Sequence, residues 1–169
     1  MTVIVERDLQ ITLPAGVTAR RFDDGILHGL SHCMKAVDFI VDLPDRVVFI
    51  EFKDPQDASA PEQRGRDYLA KFSSGAIDEQ LKTKFRDTFL YEWASGRVNQ
   101  PIDYWVLIGA DMLSPAELLT RTEALKRHVP AQGPLGRPWK NKLVRHCAVM
   151  NLASWNRQLP QFPAKRLSA

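Results

Sequence analysis

Two cysteines, Cys33 and Cys147, are all that the 169 residues contain, and they stand 114 positions apart. That excludes a disulfide scaffold and a four-cysteine zinc site. No apolar run approaches the ~18 residues that a membrane span needs. The opening MTVIVERDLQ meets charge by Glu6 and holds no apolar stretch of signal-peptide length. Also missing are a glycine-rich phosphate loop ending in Gly-Lys-Ser/Thr, a Gly-x-Ser-x-Gly elbow and a dinucleotide fingerprint. A motor or ATPase would therefore belong to another chain. With 44% hydrophobic and 25% charged residues, the chain is expected to fold as one globular domain over residues 1–169. It is expected in a reducing compartment, most simply the cytoplasm, and away from the membrane.

Acidic residues are nearly absent from the last third. Residues 121–169 hold one acidic side chain against ten basic ones, while residues 1–120 hold 19 acidic against 13 basic. The net charge of +3 thus conceals −6 followed by +9. A one-sided basic segment is the footprint of a polyanion partner. Within it, Arg137, Lys140, Lys142 and Arg145 surround Trp139. Such interleaving suits contact with a phosphodiester backbone and stacking on bases.

Residues 1–35 read as a β-rich extension. Val3 and Val5, Leu9 to Leu13, and Val17 to Phe22 alternate as short strands. Strands are also expected at Val37–Leu43 and Val47–Lys53, joined by the turn Pro44-Asp45-Arg46. A helix should run from Pro61 or Glu62 to Phe72 and break at Ser73-Ser74-Gly75. The next carries Ile77, Leu81, Phe85, Phe89 and Trp93 at four-residue spacing, read as one apolar stripe. A buried strand, Tyr104–Ile108, follows. Ser114-Pro115-Ala116-Glu117 is a capping box opening a helix to about Arg127. A last strand is expected over Leu143–Leu152, then an irregular tail. The order implies an α/β (mixed α+β) domain with a central mixed sheet flanked by helices.

The informative stretch is VDFIVDL, a turn, then VVFIEFKD. Glu51 and Lys53 stand two apart on one strand and share a face. Pairing Leu43 with Val48 puts Asp38 opposite Lys53, and Ile40 opposite Glu51. Asp38, Glu51 and Lys53 then share one face, while Phe39, Val41, Ile50 and Phe52 take the other. Two carboxylates offer hard oxygen ligands to Mg²⁺ or Mn²⁺. The lysine can hold the attacking water and stabilise transition-state charge. The same residues could also form a plain cross-strand ion pair, Asp38 with Lys53.

In this arrangement the chain resembles the PD-(D/E)XK nuclease superfamily, the restriction-endonuclease-like fold. The matching residues are Asp38, Glu51, Phe52 and Lys53, and the motif core spans roughly residues 36–110. The resemblance implies a divalent-metal-dependent hydrolase cutting phosphodiester bonds, in DNA more than RNA. It assigns Asp38 and Glu51 as metal ligands and Lys53 as the catalytic lysine. It also leaves room for a member that binds nucleic acid or protein without cleaving. Ala36-Val37 replace the optional proline before Asp38, and Asp23 or Asp24 is the candidate for the upstream acid of some members. Cutting both strands would call for two sites and hence a homodimer, and a partner protein would supply any motor or specificity function.

Gln80 and Lys84, four apart on the long helix, are further nucleic-acid-binding candidates, weighed against a solvated helix face. Asp42 shares the parity of Asp38 and, placed opposite Phe49, reads as a structural acid. His28 and His32 are four apart but lack a neighbouring glutamate, so they read as ordinary polar histidines.

Overall fold

The computed structural model describes residues 2–24 and 29–168. His28 lies outside these residues, as does part of the extension expected over residues 1–35. The structure is mixed α/β, with two sheets and four helices among the described residues.

A small antiparallel sheet joins β1 (Thr2–Glu6), β2 (Leu9–Leu13) and β8 (Ala164–Arg166) in the order β1-β2-β8. The main sheet has five strands, β3 (Thr18–Arg21), β4 (Phe39–Asp42), β5 (Val47–Lys53), β6 (Ile102–Ile108) and β7 (His146–Asn151), in chain order. β3, β4 and β5 pair antiparallel, whereas β5, β6 and β7 are parallel. Parallel neighbours need crossovers, and helices supply them. α1 (Glu62–Ser74) and α2 (Ile77–Ala94) link β5 to β6, and α3 (Pro115–His128) links β6 to β7.

Both faces of the main sheet are covered, which is why β6 reads IDYWVLI and is buried throughout. Ile40, Phe49, Tyr104 and Val106 pack with Leu81 and Phe85 of α2. Phe39, Ile50 and Trp105 face the small sheet through Leu9 and Ile11, and meet Trp155. One face of the main sheet is therefore covered by α1, α2 and α3, and the other by the small sheet together with the segment that carries Trp155.

The β4–β5 register is two residues from the one expected. Phe39 pairs with Ile50, and Asp42 with Val47 rather than Phe49. The Leu43 N–H donates to the Arg46 carbonyl at 2.9 Å, so the turn is tighter. A slip of two keeps every side chain on its face. It moves Asp38 from the Lys53 position to the Glu51 position.

The tail is not irregular. α4 (Leu152–Gln158) begins directly after β7, on a reciprocal cap between Asn151 and Ser154. Trp155 is fully buried, and its indole N–H donates to the Phe162 carbonyl at 2.6 Å. β8 then pairs with β2. Among the described residues no helix is long and apolar enough to cross a membrane.

Candidate active site

Asp38 immediately precedes β4, and Glu51 and Lys53 close β5. Asp38 is buried, and its Oδ2 accepts the Phe52 N–H at 2.6 Å. That bond seats the carboxylate between Glu51 and Lys53. Glu51 is fully buried on the helix-covered face. The Lys53 Nζ lies 2.5 Å from its Oε1. The expected Asp38–Lys53 opposition is thus replaced by two contacts that meet at Glu51 and Phe52.

A second lysine reaches the same point. Lys84 of α2 is only 7% exposed. Its Nζ lies 2.8 Å from Glu51 Oε1 and 3.0 Å from Oε2, 3.4 Å from Asp38 Oδ1 and 3.5 Å from Asp23 Oδ2. Asp23 follows β3, where the Phe22 N–H donates to the Asp38 carbonyl at 2.8 Å. Glu51 Oε1 is buried without a hydrogen bond of good geometry, although two ammonium groups stand close to it.

Burial raises the Glu51 carboxyl to about 7, and neighbouring Asp38 adds to the rise against the pull of Lys53 and Lys84. Burial opposes charge on Lys84, but Glu51 and Asp38 outweigh it and hold the ammonium above the usual lysine range.

The cluster opens into a cavity of about 250 Å³ lined by Asp23, Asp38, Lys53, Arg64, Tyr68 and Lys84, among others. The Tyr68 hydroxyl is buried and unpartnered. A second hollow, sharing Arg64 and Tyr68, continues to Lys71 and Gln80. Gln80 therefore lies over α1, outside the carboxylate cluster, whereas Lys84 lies within it. α1 is held close because Gly65 has no side chain: a Cβ there would come within 3 Å of the Pro55 carbonyl oxygen. Beyond Lys53, Asp54 binds Arg166, which also binds Asp8.

The basic loop sits elsewhere. The Arg145 N–H donates to the Ile102 carbonyl at 2.7 Å, at the start of β6. Lys53 pairs with Ile108 at the other end, a separation of roughly 20 Å at the ordinary rise per residue. Arg137, Lys140 and Lys142 are exposed on the loop leading to that far end. Arg145 clamps the buried Asp103 with two bonds of 2.9 and 2.7 Å. The structure does not gather these four residues around the carboxylates. A larger hollow of about 740 Å³ follows the outer edge of β7 past Arg145 and Asp103. It lacks the paired carboxylates and lysines of the smaller cavity, which is therefore the candidate site.

Sequence reasoning ranked Lys84 with Gln80 as a surface candidate. A straight helix advances about 100° per residue, so four-residue steps drift by about 40° each. The buried line on α2 is Ile77, Leu81, Lys84, Thr88 and Glu92, while Trp93 is 63% exposed. Each polar member of that line has a fixed partner: the Thr88 hydroxyl accepts the Val37 N–H at 3.1 Å, and Glu92 binds Arg20 and Arg97. A lysine seven residues after Ile77 was the available signal. Tyr68 gave none, because α1 is polar on most of its surface.

Among the described residues, no group of three or more His, Cys, Asp or Glu is arranged to hold a metal ion. Comparisons with protein-family models, curated proteins and solved structures found no match.

Proposed function

We propose that the protein is a divalent-metal-dependent nuclease that hydrolyses phosphodiester bonds in DNA, on the pattern of the PD-(D/E)XK superfamily. The observation that carries this reading is the clustering of Asp38, Glu51 and Lys53: Asp38 and Lys53 line one cavity, and the fully buried Glu51 stands against Lys53 behind them. Asp38 and Glu51 would hold Mg²⁺ or Mn²⁺. The fit is chemical: both are hard oxygen donors, and Glu51 Oε1 is buried without a well-formed hydrogen bond. A bound ion supplies Lewis acidity toward a phosphoryl oxygen and lowers the pKa of its water. The rest falls to the chain. The Phe52 N–H fixes Asp38, the β5 backbone fixes Glu51, and the Lys53 ammonium faces the cavity, where transition-state charge would develop. Two free cysteines fit a reducing cytoplasm. Cutting both strands would take two copies of the site.

A second reading is a nuclease-like module that binds nucleic acid or protein without cleaving. What favours it is Lys84, which already balances charge among the carboxylates.

The test is cleavage of DNA and RNA with Mg²⁺ or Mn²⁺, wild type beside Lys53→Ala. The nuclease reading expects DNA to be cut, and the variant to lose about 10²-fold or more. Wild type that never cuts but binds DNA in a salt-dependent way, with Asp38→Asn binding equally well, would establish the second reading instead.

A further inference from the structure

We infer that Lys84 is a tethered cation standing where a divalent ion held by Asp38 and Glu51 would stand, so that lysine and metal would compete for those two carboxylates. This rests on the reading of Asp38 and Glu51 as metal ligands. Three carboxylates from three parts of the chain reach one nitrogen: Asp23 after β3, Asp38 before β4 and Glu51 on β5, at 3.5, 3.4 and 2.8 Å. An ammonium has three N–H donors and no acceptor, so it matches three acceptors. Asp38 and Glu51, both buried, would repel each other without a cation between them.

Lys84 is carried by a helix that cannot back away. Its neighbours Leu81, Phe85 and Thr88 are buried. Only the flexible stem can withdraw the charge, and the 250 Å³ cavity that Lys84 lines gives it somewhere to go. A divalent ion brings twice the charge to the same oxygens and holds them closer, at about 2.0–2.1 Å for Mg²⁺. Its affinity is then reduced by the work of displacing the lysine. The site holds itself together while empty and binds metal with correspondingly lower affinity.

The experiment measures metal without measuring cleavage. Mn²⁺ binding is followed by calorimetry at pH 8 for wild type, Lys84→Met and Lys84→Gln. Competition expects both variants to bind at least tenfold more tightly than wild type. In parallel, ¹⁵N-lysine-labelled wild type is titrated with Mg²⁺. The protected Lys84 ammonium signal, assigned by its absence from either variant, should disappear with the midpoint of binding. Equal affinity in all three proteins, or a Lys84 signal that survives saturation, overturns the competition and leaves the metal reading standing. No binding by wild type or variants overturns both. Should the variants fail to fold, the Lys84 signal is assigned by through-bond correlation to the Lys84 side chain and backbone, and the wild-type titration decides alone.

Discussion

Asp38 accepts the backbone N–H of Phe52 at 2.6 Å, and so fastens the start of β4 to the middle of the Glu51-Phe52-Lys53 motif. The bond has two uses. It satisfies a buried donor, and it leaves Oδ1 directed at the ammonium of Lys84.

The two uses separate by substitution. Asp38→Ala should lose about 1–3 kcal/mol in urea unfolding, since a buried N–H is left unsatisfied. Asp38→Asn keeps an acceptor for Phe52 and should lose less, while cleavage falls as far as in Asp38→Ala. Equal stability loss in both would show that the Phe52 bond contributes little.

Glu51 sets a pH dependence. Its carboxyl titrates near the ordinary 4.5 when unfolded and at about 7 when folded. Between those values the native state holds more protons than the unfolded state, so the Glu51 contribution declines as pH rises through that window. The metal-free wild type should lose more stability between pH 5 and pH 8 than Glu51→Gln does. Parallel profiles from denaturant melts would contradict this.

The Tyr68 hydroxyl is buried without a partner. Burying it unpaired carries a cost on the order of 1–3 kcal/mol. Tyr68→Phe should therefore melt no lower than wild type, and higher if the hydroxyl is idle. On the nuclease reading it should still cleave more slowly, because Tyr68 lines the cavity. A variant equal to wild type in both respects would remove Tyr68 from the site.

Gly65→Ala tests the contact between α1 and the loop after Lys53. The added methyl meets the Pro55 carbonyl oxygen, which is backbone and cannot turn aside. Destabilisation of about 1–3 kcal/mol is expected, with loss of cleavage beyond what the lowered folded population explains. Calorimetric melting and a rate per folded molecule measure the two effects.

Replacing Arg137, Lys140 and Lys142 together with alanine should weaken DNA binding and flatten its salt dependence, by about 0.9 per lost phosphate contact on duplex DNA. It should leave the single-turnover cleavage rate at saturation unchanged, because the loop and the carboxylates occupy opposite ends of the sheet. A large fall in that rate would mean that the loop reaches the cut.

Local rules made most of the elements legible. Alternation on β4 and β5 separated polar from apolar faces, and that survived an error of two in register because the period is two. The turn determined the register, and Pro44-Asp45-Arg46 is compatible with more than one closure. Lys84 was obscured by reading exact fours where the helix turns every 3.6 residues. The Asn151–Ser154 cap uses serine where the usual box has glutamate or glutamine, so α4 passed as irregular. The position of the basic loop depends on which end of β7 it enters, which charge along a chain does not encode.

β8 pairs with β2 across more than 150 residues. Its partner strand buries Leu9 and Ile11, worth about 1.5–3 kcal/mol each when fully covered. Arg166, on β8, also grips Asp54, one residue beyond Lys53. During synthesis, the third strand of the small sheet and the anchor beneath the Glu51–Lys53 strand must both wait until residue 166 has left the ribosome. A nascent chain can assemble its five-stranded sheet, but the loop leaving β5 is fastened only once β8 arrives.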